Sequence, residues 1–141
     1  MRVVLDTNVV VSALIWGGKP FALLQAAVDG ELLLFTSPVL LAELHEVLSR
    51  GHLAARLENR RSSVERALAS YARLAVSVTR LTVPRVVQDD PDYDHIIAAA
   101  VTAKAGCVVS GDRHLLAVQA YAGIRIVSPD EAMAMIGTAA P

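Results

Sequence analysis

The segment Val3-Val4-Leu5-Asp6-Thr7-Asn8 decides how this chain folds, because an apolar run of strand length ends abruptly on a carboxylate. A later segment, Cys107-Val108-Val109-Ser110-Gly111-Asp112, has a similar pattern. Each segment indicates a buried strand that gives way to a helix, with an acidic residue near the switch. Ligands bind at the carboxyl ends of the strands in open α/β sheets. We therefore expect Asp6 and Asp112 to lie at that edge.

Strand-like and helix-like segments alternate along the chain. The predicted strands cover residues 2–5, 32–35, 107–109 and 124–127, with short candidates at 76–78 and 86–87. Such alternation predicts right-handed crossovers and a parallel sheet that helices cover on both faces. Pro84, between the two short candidates, suits an edge strand or a connection better than a central strand.

The predicted helices carry recognisable start and stop signals. They cover residues 20–28, 39–49, 53–59, 65–75, about 94–105, 114–122 and the segment after Pro129. Pro20 and Ser37-Pro38 open two of them. Glycines that follow helical runs are interpreted as C-terminal caps, namely Gly30, Gly51 and Gly106. Capping boxes are predicted for two pairs, Ser62 with Glu65 and Ser128 with Glu131.

The segment 52–75 is predicted to form a small helical arm. Basic side chains are concentrated at its start, namely Arg50, His52, Arg56, Arg60, Arg61 and Arg66. Arg56 and Arg60 are four residues apart, so they share one face of a helix. This basic face is consistent with a solvated surface and equally with contacts to a nucleic-acid backbone.

Length and composition predict one domain over residues 1–141. The chain has 141 residues, of which 54% are hydrophobic, so it can bury a sizeable core. Its formal charge of −1 shows no overall attraction for nucleic acid, and composition alone identifies no substrate. The single cysteine, Cys107, excludes an internal disulfide and a multi-cysteine zinc site within this sequence. We expect it to be a small core residue.

No membrane segment or leader is expected from the sequence. The longest apolar stretches, such as residues 9–16 and 32–35, end well before the roughly 20 residues that a membrane-spanning helix needs. The N-terminus has no basic region followed by a cleavage site. A soluble, cytoplasmic protein is the resulting expectation.

Two further acidic residues fall at informative places. Glu43 lies on the helix over residues 39–49, and Asp94 lies in the first turn of a later helix. Only the fold could bring these two together with Asp6 and Asp112, and their mutual repulsion would then demand a cation. Mg²⁺ and Mn²⁺ favour carboxylate oxygens. The pattern therefore indicates metal-dependent chemistry on phosphates.

Each acidic residue also has a simpler interpretation. Asp94 and Asp112 could cap helices, where the helix dipole favours a negative charge. Glu43 could be a solvent-facing helix residue. Asp6 is harder to explain in this way, because a carboxylate at the end of a core strand needs a partner.

Four stretches around these acids resemble the motifs of PIN-domain ribonucleases. They occur in the family order, as Val4-Leu5-Asp6-Thr7-Asn8, Ser37-Pro38-Val39-Leu40-Leu41-Ala42-Glu43-Leu44, Asp94-His95-Ile96-Ile97-Ala98-Ala99-Ala100 and Val109-Ser110-Gly111-Asp112. The resemblance extends from residue 2 to about residue 129 and is nearest to the VapC-like toxins of bacterial toxin-antitoxin pairs. It implies a three-layer α/β/α fold with a mainly parallel sheet. It also implies an endoribonuclease that depends on Mg²⁺ or Mn²⁺ and cuts RNA with a metal-activated water.

Carried over motif by motif, the resemblance makes four residues the catalytic, metal-binding acids: Asp6, Glu43, Asp94 and Asp112. Ser110 and Asn8 would orient and steady these acids through hydrogen bonds. His114 stands where relatives often have a further acidic residue, and Asp92 is an alternative to Asp94. The partners implied are an RNA substrate, an antitoxin protein and a second copy of the chain.

Three other functions compete with this one. A haloacid-dehalogenase-like phosphatase needs a second aspartate two residues after the first, where this chain has Asn8. A response-regulator receiver needs a late lysine, and no lysine follows Lys104. A catalytically silent PIN-like scaffold is disfavoured because all four acids are present.

Overall fold

The computed structural model describes residues 1–79 and 92–139 of the chain. The predicted strand at residues 86–87 and the preceding Pro84 lie outside the described residues. In chain order the elements are β1 (Arg2–Leu5), α1 (Thr7–Ile15), α2 (Gly18–Val28), β2 (Leu33–Thr36), α3 (Pro38–Leu48), α4 (Gly51–Asn59), α5 (Val64–Leu74), β3 (Val76–Ser77), α6 (Asp92–Ala103), β4 (Cys107–Val109), α7 (Arg113–Leu116), β5 (Ala120–Tyr121), β6 (Ile124–Val127) and α8 (Pro129–Ala139).

Within the described residues, the strands form one sheet in the order β3-β2-β1-β4-β6-β5. Strand β1 lies between β2 and β4 and runs parallel to both, with Val4 opposite Phe35 and Val108. Strand β6 is parallel to β4, whereas β5 is antiparallel to β6. The short strand β3 lies at one edge of the sheet, next to β2. The carboxyl ends of β1, β2, β4 and β6 therefore lie side by side along one edge of the sheet, which is distinct from the edge that β3 forms.

Helices cover both faces of the sheet because successive strand residues point to opposite sides. Val3, Leu5 and Val109 pack with buried residues of α1 to α5 and α8. Val4 and Val108 pack on the other face with α6 and α7. The predicted three-layer α/β/α fold with a mainly parallel sheet is confirmed.

Helix α6 forms the centre of the second layer. Its residues Ala98, Ala99 and Ala100 are completely buried, and the helix contacts β1, β2 and β4. Small side chains let the helix backbone lie close to the sheet. Cys107, on β4, is also completely buried, which confirms its expected place in the core, and burial raises the pKa of its thiol to about 11.

The prediction of a helix over residues 114–122 is wrong after its first turn. Helix α7 ends at Leu116, and the chain then forms β5 and returns as β6. Gln119 and Ala122 have positive φ angles of 67° and 51°, and Gly123 has a φ of 81°. A right-handed helix cannot pass through such residues. Pairing with β6 has overridden the local helical preference.

Helices α4 and α5 form the predicted arm, and the arm packs onto the body of the molecule. Leu53, Leu57 and Tyr71 are buried in the same core as the sheet. The Arg56 guanidinium lies 3.9 Å from the centre of the Trp16 ring, which links α4 to the end of α1. One basic side chain of the arm, Arg56, therefore makes a contact within the molecule.

Several predicted caps differ from those in the structure. Ser63, rather than Ser62, caps α5 by accepting a hydrogen bond from the backbone N–H of Arg66. Gly51 begins α4 instead of ending α3. The Ser128 and Glu131 box is confirmed, since each side chain accepts a hydrogen bond from the other's backbone N–H.

Helix α1 follows directly after Asp6, and α2 starts at Gly18, two residues before the predicted start at Pro20. In the part of the chain that the structure describes, no single helix is long and apolar enough to cross a membrane. The pair α1 and α2 would pass that test together by length and composition, but the two helices meet at a bend of 93°.

Replacement of Ile97 by alanine is expected to lower the free energy of unfolding by about 2–5 kcal/mol, because it leaves a cavity between α6 and the sheet. Val101, one turn later on the same helix, is 45% exposed, and Val101→Ala should change that free energy by less than about 0.5 kcal/mol. Urea unfolding of both variants measures the difference. Equal effects would contradict the burial of this face.

Candidate active site

Asp6 links the end of β1 to the start of α1. Its backbone N–H donates to the carbonyl oxygen of Val109 at 2.9 Å, which ties it to the end of β4. Its Oδ1 accepts a hydrogen bond of 2.8 Å from the backbone N–H of Thr7, so the carboxylate is the N-cap of α1. A negative charge is favourable at this end of a helix. Local structure thus holds Asp6 at the sheet edge.

Asp112 has a similar position at the end of β4. Its Oδ1 accepts hydrogen bonds from the backbone N–H groups of His114 and Leu115, at 2.8 and 3.4 Å, and caps α7. The side chain of Tyr93, in the first turn of α6, also hydrogen-bonds to Asp112. The pKa of Asp112 is lowered, and the Tyr93 hydrogen bond is the largest cause. Burial, the second-largest effect, acts in the opposite direction, and the backbone N–H groups of His114 and Leu115 add to the lowering.

Ser110 joins these two aspartates. The parallel register places Leu5 opposite Val109, so Asp6 and Ser110 follow side by side at the strand ends. The Ser110 hydroxyl donates to Asp6 Oδ2 at 2.8 Å and accepts from the backbone N–H of Asp112 at 3.0 Å. Ser110 is completely buried. A single hydroxyl therefore fixes one carboxylate and the backbone that carries the other.

Glu43 reaches the same region from α3. Ser37 caps this helix by accepting a hydrogen bond of 3.2 Å from the backbone N–H of Leu40, and Pro38 is its first residue. The Thr7 hydroxyl donates to Glu43 Oε2 at 2.8 Å. Thr7 thus contacts Asp6 through its backbone and Glu43 through its side chain.

These side chains line a polar cavity of about 250 Å³ at the sheet edge. Three of the predicted acids share its wall, namely Asp6, Glu43 and Asp112. Asn8, the other predicted residue at this wall, is exposed. Its proposed role in steadying Asp6 stays a prediction, because the hydrogen bonds described above come from Thr7 and Ser110.

Asp94 is placed differently from the other three acids. Its side chain is only 2% exposed, and it is not among the described residues that line the cavity. Tyr93, the residue before it, lines the cavity instead. The side chain of Asp92, the alternative acid, lies outside the described part of the chain. The assignment of Asp94 to the acidic set stays a prediction.

Sequence reasoning missed three polar residues of this cavity: Thr7, Tyr93 and Arg50. Thr7 follows Asp6 and Tyr93 precedes Asp94, so each residue is next to a predicted acid in the sequence. For Thr7 this position is a usable signal, because the residue after an N-cap lies close to the capping side chain. Arg50 belongs to the basic segment that the sequence singled out. Arg50 lines the same cavity as the acids because of where it lies in the junction between α3 and α4. The apolar pattern of the sequence does not predict the geometry of that junction.

The donors at this cavity fit a hard divalent cation that keeps part of its water. Among residues 1–79 and 92–139, no three His, Cys, Asp or Glu side chains lie close enough to hold one ion between them. Mg²⁺ does not require such a cage, since it commonly binds one or two carboxylates together with waters and substrate oxygens. Asp6 and Asp112 both line this cavity, and Ser110 links the Asp6 carboxylate to the backbone of Asp112. These two residues would supply the one or two carboxylates. The cavity has room for several waters.

Comparisons with curated proteins and with solved structures found no match. A family model described as PIN domain matches residues 2–114. The matched region runs from β1 into α7 and contains all of the predicted acids. PIN domains are generally nucleases and typically use divalent metals. The chain therefore belongs to the PIN-domain family, as the resemblance of its four acidic motifs predicts.

Proposed function

We propose that this protein is a metal-dependent endoribonuclease that hydrolyses phosphodiester bonds in RNA. One observation carries the proposal: the Ser110 hydroxyl links Asp6 to the backbone of Asp112 at the wall of a polar cavity. Membership of a family of nucleases supports the class of reaction. Three of the four acids that the motifs single out line this cavity, and Asp94 joins the proposed site through its motif alone.

The proposed cofactor is Mg²⁺ or Mn²⁺. Asp6 and Asp112 would hold it, with Glu43 and Asp94 as the further ligands that the motifs predict. When bound, such a cation lowers the pKa of a coordinated water and neutralises charge on phosphoryl oxygens.

The other residues of the cavity would orient these acids and the substrate. Thr7 and Ser110 fix the carboxylate oxygens of Glu43 and Asp6, so that these groups need little reorganisation when a phosphate enters. Tyr93 does the same for Asp112. Arg50 lines the same cavity, and a guanidinium can bind phosphate oxygens through two hydrogen bonds. In this proposal Arg50 positions the scissile phosphate over the acids.

We further propose that the nuclease is the toxin of a toxin-antitoxin pair, forming one domain over residues 1–141 and acting on RNA in the cytoplasm. The resemblance to VapC-like toxins supports this role. A separate apolar cavity of about 410 Å³ offers space for an antitoxin or a second copy of the chain. Phe21 and Val28, at its wall, are 50% and 64% exposed, so the cavity presents apolar surface of the kind that partner-binding sites use.

The alternative functions have less support. The phosphatase alternative lacks its second aspartate at Asn8, and the chain belongs to a different family. A silent scaffold remains the competing proposal, and cleavage assays distinguish it from the nuclease.

Asp6→Asn is expected to reduce RNA cleavage by about 100-fold or more, because the asparagine amide lacks the negative charge with which Asp6 would bind the cation. Asparagine still caps helices well, so the folded structure should persist. Cleavage of a mixed RNA pool in Mg²⁺, with and without EDTA, measures the requirement for the Asp6 carboxylate and the requirement for the cation. Asp29→Asn, at the exposed end of α2, is the matched control and should retain activity. Cleavage that survives in Asp6→Asn, or that ignores EDTA, contradicts the metal mechanism.

Ser110→Ala is expected to lower cleavage and Mg²⁺ affinity by about 10–100-fold, because Asp6 loses the hydroxyl that orients it. Ser37→Ala is the matched control, since Ser37 is equally buried and its cap lies on α3. Isothermal titration with Mg²⁺ and a cleavage assay compare the two variants. Equal losses in both would mean that Ser110 acts only through stability.

Tyr93→Phe is expected to raise the pKa of Asp112, because it removes the largest of the contacts that lower it. A depressed carboxyl pKa contributes stability above the unfolded-state pKa and loses it as pH falls through the folded-state value. In the variant, that loss should begin at higher pH. Carboxyl ¹³C NMR titration of the metal-free protein measures the shift, with Tyr121→Phe on β5 as the control. An unchanged titration of Asp112 would exclude the Tyr93 contact.

A further inference from the structure

A second cavity of about 390 Å³ adjoins the active-site cavity. We call it the flanking cavity. It shares three wall residues with the active-site cavity, Glu43, Val47 and Arg50, and adds Glu46 and His95 as polar residues of its own. The shared wall makes the two cavities parts of one groove, so a chain-like substrate in one would continue into the other.

The groove follows a single face of α3 and the residues just after it. The wall positions from Val39 to Arg50 recur at intervals of three or four residues, the spacing of one helix face. The nine helical steps from Val39 to Leu48 correspond to about 14 Å, and Arg50 lies two residues beyond the end of α3. This length exceeds one nucleotide, so a scissile phosphate at the acids leaves room for the neighbouring nucleotide in the flanking cavity.

The charges favour a base over a phosphate in the flanking cavity. Glu43 and Glu46 both line it, and carboxylates repel phosphate oxygens. A carboxylate is a hydrogen-bond acceptor, and it suits the exocyclic amino group of a base such as cytosine. Arg50, at the junction of the two cavities, is the group suited to the phosphate between them.

His95 gives a second reason to expect a polar ligand. Its ring nitrogen Nδ1 is buried and has no hydrogen-bond partner among the described residues. A buried nitrogen without a hydrogen-bond partner is energetically unfavourable. The half-buried ring lies in the wall of the flanking cavity, and a turn of the ring toward a bound base would relieve this cost.

Val39 and Ala42 supply the apolar part of the same wall. Val39 is 44% exposed although it is a large apolar residue at the start of α3. The face of a nucleobase is apolar and its edge is polar, and single-stranded RNA is recognised through both. The flanking cavity offers surfaces of both kinds.

We propose that the flanking cavity binds the base next to the scissile phosphate, and that Glu46 selects a base with an exocyclic amino group over uracil. The inference rests on the proposed ribonuclease function. It adds a specificity-determining residue outside the predicted acidic set.

Binding of short oligocytidylate and oligouridylate RNA to the Asp6→Asn variant in Mg²⁺ tests the proposal, because cleavage is then suppressed. Fluorescence anisotropy should show about 10-fold tighter binding of the cytidine oligomer. Glu46→Ala in the same background should bring the two affinities within about 2-fold, through weaker cytidine binding and unchanged or tighter uridine binding. Glu46 is exposed on the helix, so this variant should fold normally.

Glu31→Ala is the matched control, because Glu31 is an exposed glutamate that precedes β2 and so lies near the amino ends of the parallel strands. It should leave the cytidine preference intact. Equal binding of the two oligomers by Asp6→Asn, or a preference that survives Glu46→Ala, overturns the proposal. An equal loss of both affinities in Glu46→Ala also overturns it, since it shows a general effect instead of selection.

Mapping of cleavage ends in the wild-type protein separates this inference from the function on which it rests. EDTA-sensitive cleavage with no preference among neighbouring bases would leave the nuclease intact and refute the role of Glu46. A protein that neither cuts nor binds RNA would refute both. The expected result is a preference for an amino-bearing base beside the cut, which Glu46→Ala abolishes while cleavage continues.

Discussion

The hydrogen bonds of the Ser110 hydroxyl are the interaction on which the rest of the site depends. Two aspartates cap helices at the ends of neighbouring parallel strands, where their negative charges repel each other. Ser110 holds one carboxylate with its proton and the backbone of the other with its oxygen. This geometry requires the register in which Leu5 lies opposite Val109, so a slip of β4 by one residue would dismantle it.

The sequence predicts the centre of the fold well because local signals and burial agree there. The apolar runs before Asp6 and after Gly106 are strands in the structure, and the motifs place Glu43 near them. The hairpin after α7 could not be predicted, since it depends on left-handed conformations at Gln119 and Ala122, which neither residue type signals. The contact from Tyr93 to Asp112 joins two distant segments, and no local pattern encodes it.

The helical arm has a structural part in the groove. Arg50 stands between α3 and α4, where its extended backbone opens the first turn of the arm. Burial of Leu53 and Leu57 fixes α4 against the core, and the stacking of Arg56 on Trp16 adds a contact to α1. The arm therefore determines where the Arg50 guanidinium lies relative to the acids. Changes in its packing would move Arg50, and in the proposed function also the scissile phosphate, without touching a carboxylate.

The two edge strands of the sheet affect how the protein can pair with other chains. Within the described residues, the strands at the two edges, β3 and β5, are only two residues long. Long unpaired edges act as templates for cross-chain pairing and aggregation, and short ones provide little backbone for it. Within the described residues the sheet therefore offers little backbone for sideways growth into fibres. A partner of the kind proposed above would instead meet side chains on the helices.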